Sequence, residues 1–180
     1  MVVCMYFSLH VNAQVNVAEP EFAEETMLLT SDSEGILLKR ENGSIKTKAG
    51  AGVYLVGIGK IKSRLTLPGI KSVNDVKVPA NARLVIKGKD NATDPNSYIS
   101  VFKFELTKSE RRFQLAEAGT FTGTEKNNTA SVDFQAKKYG ESSYIIQLND
   151  LVPGEYGILI GDPNSLTNKN SMKITTFTVE

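Results

Sequence analysis

The stretch from Ser142 to Gly161 restricts this chain more than any other. Tyr144, Ile146 and Leu148 alternate with Ser143, Ile145 and Gln147, the two-residue period of a half-buried β-strand. Asp150-Leu151-Val152-Pro153-Gly154-Glu155-Tyr156 then forms a tight corner, with Pro153 and Gly154 supplying turn chemistry. Tyr156 opens the next strand. A chain that places two strands on either side of so short a corner is committed to packed β-sheets.

The rest of the sequence repeats this pattern. Thr26–Thr30 and Ile36–Arg40 flank the polar loop Ser31–Gly35. Ile36–Arg40 is expected to face Ser44–Lys48 across Glu41-Asn42-Gly43, because Asn-Gly between two such runs is a strong hairpin signal. Val53–Ile58 is nearly continuous in apolar residues and reads as a central strand. Arg64–Leu67 ends at Pro68-Gly69, and Pro79-Ala80-Asn81 marks a boundary between halves. Later, Ala82, Leu84 and Ile86 share a face, as do Tyr98, Ser100, Phe102, Phe104 and Leu106. Phe113 and Leu115 point inward, Val132, Phe134 and Ala136 form another face, and Met172–Val179 closes the chain as a β-branched strand. Helical turns could occupy only Glu19–Glu25 and Lys108–Glu117, neither with a sustained helical period. About a dozen short strands, with turn signals about every 8–12 residues, indicate an all-β sandwich or barrel.

The corner at Tyr156 resembles the tyrosine corner of immunoglobulin-like and fibronectin-like antiparallel sandwiches, in which a Tyr hydroxyl bonds upstream backbone. That resemblance implies a scaffold whose function sits in its loops. The expected organisation is a signal peptide over 1–13, a small β-domain or accessory sheet over 14–79, and an immunoglobulin-like β-sandwich over 80–180. A single larger sandwich using all the strands is the alternative.

Composition removes several function classes. The 180 residues carry 41% apolar and 23% charged side chains, ordinary for a globular chain. Net charge is +1 from 21 basic and 20 acidic residues, which argues against nucleic acid as a partner. The basic group Lys60, Lys62, Arg64 and Lys71 reads as a solvated strand face. Met1–Leu9 is a short apolar run followed by Val11-Asn12-Ala13, which fits an export signal cleaved before Gln14 despite lacking a preceding Lys or Arg. The expected mature chain then has no transmembrane segment. It also lacks Cys, His and Trp, since Cys4 and His10 fall within the signal.

Without Cys or His, neither zinc sites nor Ser-His-Asp or Cys-His nucleophiles can be built in that mature chain. Gly50-Ala51-Gly52 and Gly57-Ile58-Gly59 lack the third glycine of a dinucleotide fingerprint, and no cofactor is expected. Asp and Glu are plentiful enough for a two-carboxylate glycosidase, yet no pair stands out. Lys138 and Tyr139, in the turn Lys137–Glu141, are the ligand-contact candidates, the ring stacking on a sugar or nucleobase; the ring covering the core edge is the competing assignment. Asp90, Asp94 and Asn96 offer the hard oxygen ligands calcium takes, but without EF-hand spacing, so a solvated hairpin loop competes there.

Val11-Asn12-Ala13-Gln14, Glu19-Pro20-Glu21-Phe22, Lys138–Tyr144 and Pro153–Ile158 together resemble the uncharacterised exported β-rich proteins of Gram-negative gut anaerobes. The resemblance implies an envelope or secreted address, in the periplasm or at the cell surface, and a sandwich fold. It transfers no activity. The expected function is a non-enzymatic binding or assembly module of the cell envelope, its partner an envelope protein or glycan. Two alternatives are kept. One is an adhesin or fibre subunit pairing through an edge strand, with Met172–Val179 as the candidate edge. The other is a carboxylate-based carbohydrate-active enzyme.

Overall fold

The computed structural model describes residues 15–49, 60–119, 131–161 and 171–180. The expected signal segment and the Val53–Ile58 strand lie outside these residues. The described residues form fourteen strands, in chain order: β1 (Thr26–Leu29), β2 (Gly35–Leu38), β3 (Arg40–Ala49), β4 (Lys60–Pro68), β5 (Lys77–Val78), β6 (Ala82–Lys87), β7 (Ile99–Lys103), β8 (Glu105–Leu106), β9 (Glu110–Gly119), β10 (Ser131–Val132), β11 (Gln135–Tyr139), β12 (Ser143–Leu148), β13 (Gly154–Ile160) and β14 (Ser171–Val179). One short 3-10 turn, Pro95–Ser97, is the helical content of the described residues, and none of their helices is long and apolar enough to cross a membrane. The fold is all-β.

Two sheets hold these strands. The smaller runs β11-β12-β6-β1-β2, and the larger runs β10-β7-β13-β14-β3-β4-β9-β8. The pairings are antiparallel, apart from a short parallel contact of β5 with β14. Each sheet contains strands from before and after Pro79, so neither is confined to 14–79 or to 80–180. The larger sheet curls on itself. β7 and β8 lie towards its two ends, yet only Phe104 separates them in sequence, and they pair with β13 and β9 respectively. Residues 99–106 thus close a ring with β13, β14, β3, β4 and β9.

Two cores follow from this geometry. Between the sheets lie Leu28, Leu84, Ile86, Tyr144, Ile146, Val101, Tyr156, Ile158 and Phe177. Inside the curl lie Leu65, Leu67, Phe102, Phe104, Phe113, Leu159, Met172 and Ile174. β7 and β13 are therefore buried on both faces, and their sequences lose simple alternation. Val132, Phe134 and Ala136 pack against the inter-sheet core, but not as one strand face: Val132 lies on β10 of the larger sheet, Ala136 on β11 of the smaller, and Phe134 between them. The Tyr156 corner carries the chain from the smaller sheet (β12) to the larger (β13), and the Tyr156 hydroxyl donates to the Val152 carbonyl at 2.6 Å.

Three expectations are corrected. Asn42 and Gly43 do not turn a hairpin: they lie within β3, paired with Lys173 and Met172, while β2 belongs to the other sheet. Gly43 is there for close approach, since a Cβ would lie 2.4 Å from Leu65 Cδ1. Lys108–Glu117 holds no helical turn but most of β9, because Phe113 and the positions around it pair along β4. Met172–Val179 is no edge. β14 sits between β13 and β3, its apolar residues buried in both cores.

Candidate functional site

The two ends of β13 carry different chemistry. Near Glu155 the curl is closed by a buried ion pair. The Arg111 guanidinium donates to Glu41 Oε1 and Oε2 at 2.9 and 2.7 Å and to the Pro68 carbonyl at 3.1 Å, and lies 5.7 Å from the Phe104 ring. Glu41 also accepts from the Thr176 hydroxyl, and Ser72 Oγ lies 2.8 Å from Thr176 Oγ1. Glu155 accepts from the Ser72 amide at 2.8 Å and the Thr178 hydroxyl at 2.9 Å. Burial works against the charge on Glu41, but the Arg111 and Thr176 hydrogen bonds and the Arg111 charge outweigh it and hold the carboxyl below its ordinary value. This network seals the curl and fastens the loop after β4. Both of its carboxylates accept hydrogen bonds from these donors.

The opposite end, near Ile160, is built from loops. Glu19 is drawn into the β11–β12 turn, where Gly140 adopts φ 56° and points the next amides at one carboxylate. Glu19 accepts from the Glu141 amide at 2.6 Å, the Ser142 amide at 3.3 Å, the Ser143 hydroxyl, and Lys87 Nζ at 3.1 Å. Burial opposes the charge, yet these four bonds lower the Glu19 pKa to about 2. The Asn91 side chain donates to the Gly140 carbonyl at 3.2 Å, tying the loop 88–98 to the same turn.

Beside the loop 88–98 opens a cavity of about 280 Å³ lined by Glu24, Lys87, Gly88, Lys89, Asp90, Thr93, Tyr98, Ile160 and Gly161. Glu24 stands at φ 69°, a conformation uncommon for a residue with a side chain. Its carboxylate accepts from Arg40 at 3.2 Å, and its amide donates to the Lys87 carbonyl at 2.8 Å. Tyr98 meets Tyr144 edge to face, with ring centroids 6.3 Å apart. Burial, with Tyr144 beside it, pushes the Tyr98 phenol above its ordinary value, so the ring is neutral. A larger cavity of about 470 Å³ lies by the Tyr156 corner. There Lys103 Nζ donates to the Pro153 carbonyl at 2.8 Å and the Asp150 amide to Asn81 at 3.0 Å, so these groups hold the corner together.

The candidates read from the sequence gather at the loop end, but their polar groups are differently employed. The Tyr139 hydroxyl donates to the Val17 carbonyl and accepts from the Val17 amide at 2.9 Å, which pins the N-terminal segment. Lys138 is exposed on β11. Asp94 caps the 3-10 turn, accepting from the Asn96 amide and side chain, each at 3.0 Å, and Asp90 accepts from the Ala92 amide at 2.8 Å. Among the described residues no three His, Cys, Asp or Glu side chains group as a metal site. Sequence reasoning missed Tyr98 and Glu24 at the cavity, and Glu41 and Arg111 in the curl. Arg111 had a signal: it shares a strand face with Phe113 and Leu115, both read as inward. No protein-family model matches this chain, and no curated protein is significantly similar to it.

Proposed function

We propose that this chain is an exported, non-enzymatic binding module of the cell envelope with an immunoglobulin-like scaffold, engaging its partner through the loops around Tyr98. The observation that carries the reading is the convergence of the N-terminal segment, the loop 88–98 and the end of β13 on one cavity, with the β11–β12 turn bonded to the first two of these from behind. Loops fixed to a two-core β-scaffold provide a preorganised surface, the arrangement binding modules use. The Tyr156 corner supports the immunoglobulin-like assignment, since its hydroxyl bond to Val152 is the bond that motif makes. The buried carboxylates Glu41 and Glu155 support a non-enzymatic reading: both are occupied by hydrogen-bond donors in the sealed end of the curl.

Two measurements test it. Intact-mass and N-terminal analysis of the native protein, with and without protease treatment of whole cells, should find a chain beginning at Gln14. Retention of Met1 would defeat the export part. Binding of the purified chain to isolated envelope fractions should fall in Lys89→Ala and Asp90→Asn variants, both changed at exposed rim positions. Binding that ignores both changes would move the site elsewhere.

A further inference from the structure

We infer that the cavity around Tyr98 holds one uncharged pyranose ring of a glycan. This rests on the reading of that end as the binding site and names its ligand class. Size is the first argument. About 280 Å³ lies just below the roughly 300–1,000 Å³ typical of pockets for drug-sized ligands, which suits a single sugar ring better than a larger molecule.

Charge is the second. Lys87 and Lys89 face Glu24 and Asp90, so the lining sums to zero, and neither a phosphate nor a cationic ligand finds a net counter-charge. Lys87 and Glu24 are already bonded to Glu19 and Arg40. Lys89, Thr93 and the Asp90 oxygen not engaged by the Ala92 amide form an exposed rim offering both donors and acceptors. Hydroxyl groups, each donor and acceptor at once, match a mixed rim of that kind. The third argument is the surface they surround. Tyr98 contributes an aromatic ring and Ile160 an aliphatic side chain to the lining, and at Gly161 a Cβ would meet open space. A pyranose presents C–H groups on its ring face and hydroxyls around its edge, which is the complementary distribution.

Saturation-transfer NMR on the full chain tests this with glucose, galactose, mannose and N-acetylglucosamine, alongside glucuronate and a short neutral peptide. At least one neutral sugar should receive transfer with millimolar affinity, weakened about tenfold or more by Lys89→Ala or Asp90→Asn. Tyr98→Phe should retain binding, since it keeps the ring. The inference is overturned if no neutral sugar receives transfer, if transfer is indifferent to both rim variants, or if glucuronate or the peptide binds in their place. If envelope fractions bind and respond to the rim variants while no sugar does, the pyranose assignment falls and the binding-module reading stands. If neither binds, both fall.

Discussion

Glu19 and Arg111 show how two single side chains fix opposite ends of the molecule. With a folded pKa of about 2 against an ordinary 4.5, ionised Glu19 contributes stability above about pH 4.5 that is lost as pH falls towards 2. Glu19→Gln should therefore lower the melting temperature at neutral pH and flatten the acid limb between those values. A melting profile superimposable on the wild type across pH 2–7 would show that the carboxylate does not hold the turn. Arg111 is fully buried, and removing it strands the Glu41 charge in the curl. Arg111→Met should cost about 3–5 kcal/mol in urea unfolding, and adding Glu41→Leu should recover part of that loss. A double variant no better than the single one would refute the stranded-charge account. In the sequence, Glu41 and Arg111 are ordinary charges 70 positions apart, and only the curl brings them within 2.7 Å.

At the scale of elements, turn chemistry was legible where it acts locally and misleading where packing decides. The Tyr156 corner forms as its Asp-Leu-Val-Pro-Gly-Glu-Tyr sequence predicts, and Tyr156→Phe should cost about 1 kcal/mol by deleting one hydrogen bond. An unchanged denaturation midpoint would mean that the bond is only incidental. Asn42-Gly43 carries an equally strong turn signal, yet β3 runs straight through it. The glycine is required there by Leu65 on the neighbouring strand, not by backbone conformation. Gly43→Ala should thus destabilise by about 1–3 kcal/mol through overpacking. In a double-mutant cycle with Leu65→Ala the two losses should fall short of additivity, because the smaller partner removes the clash. Strict additivity would place the strain elsewhere.

For the whole molecule, the C-terminal strand is the clearest case of position overruling sequence. β14 reads as a plausible edge, being terminal and poor in charge, but it lies between β13 and β3 and supplies residues to both cores. Deleting 172–180 should abolish cooperative unfolding and the native circular-dichroism spectrum; a truncated chain that still melts cooperatively would contradict this central role. What the sequence determined by itself was local: an all-β chain, the buried faces of strands such as β12 with Tyr144, Ile146 and Leu148, and the corner at Tyr156. These depend on a two-residue period and on turn residues, both of which act within a few positions. Only the tertiary structure decided which strands are neighbours, that the larger sheet closes on itself through Phe104, that an arginine is buried within it, and that distant loops meet around Tyr98. Those outcomes arise from pairings between residues far apart in the chain. Strands such as β7 and β13, buried on both faces, also lose the alternation by which a sequence reveals its partners.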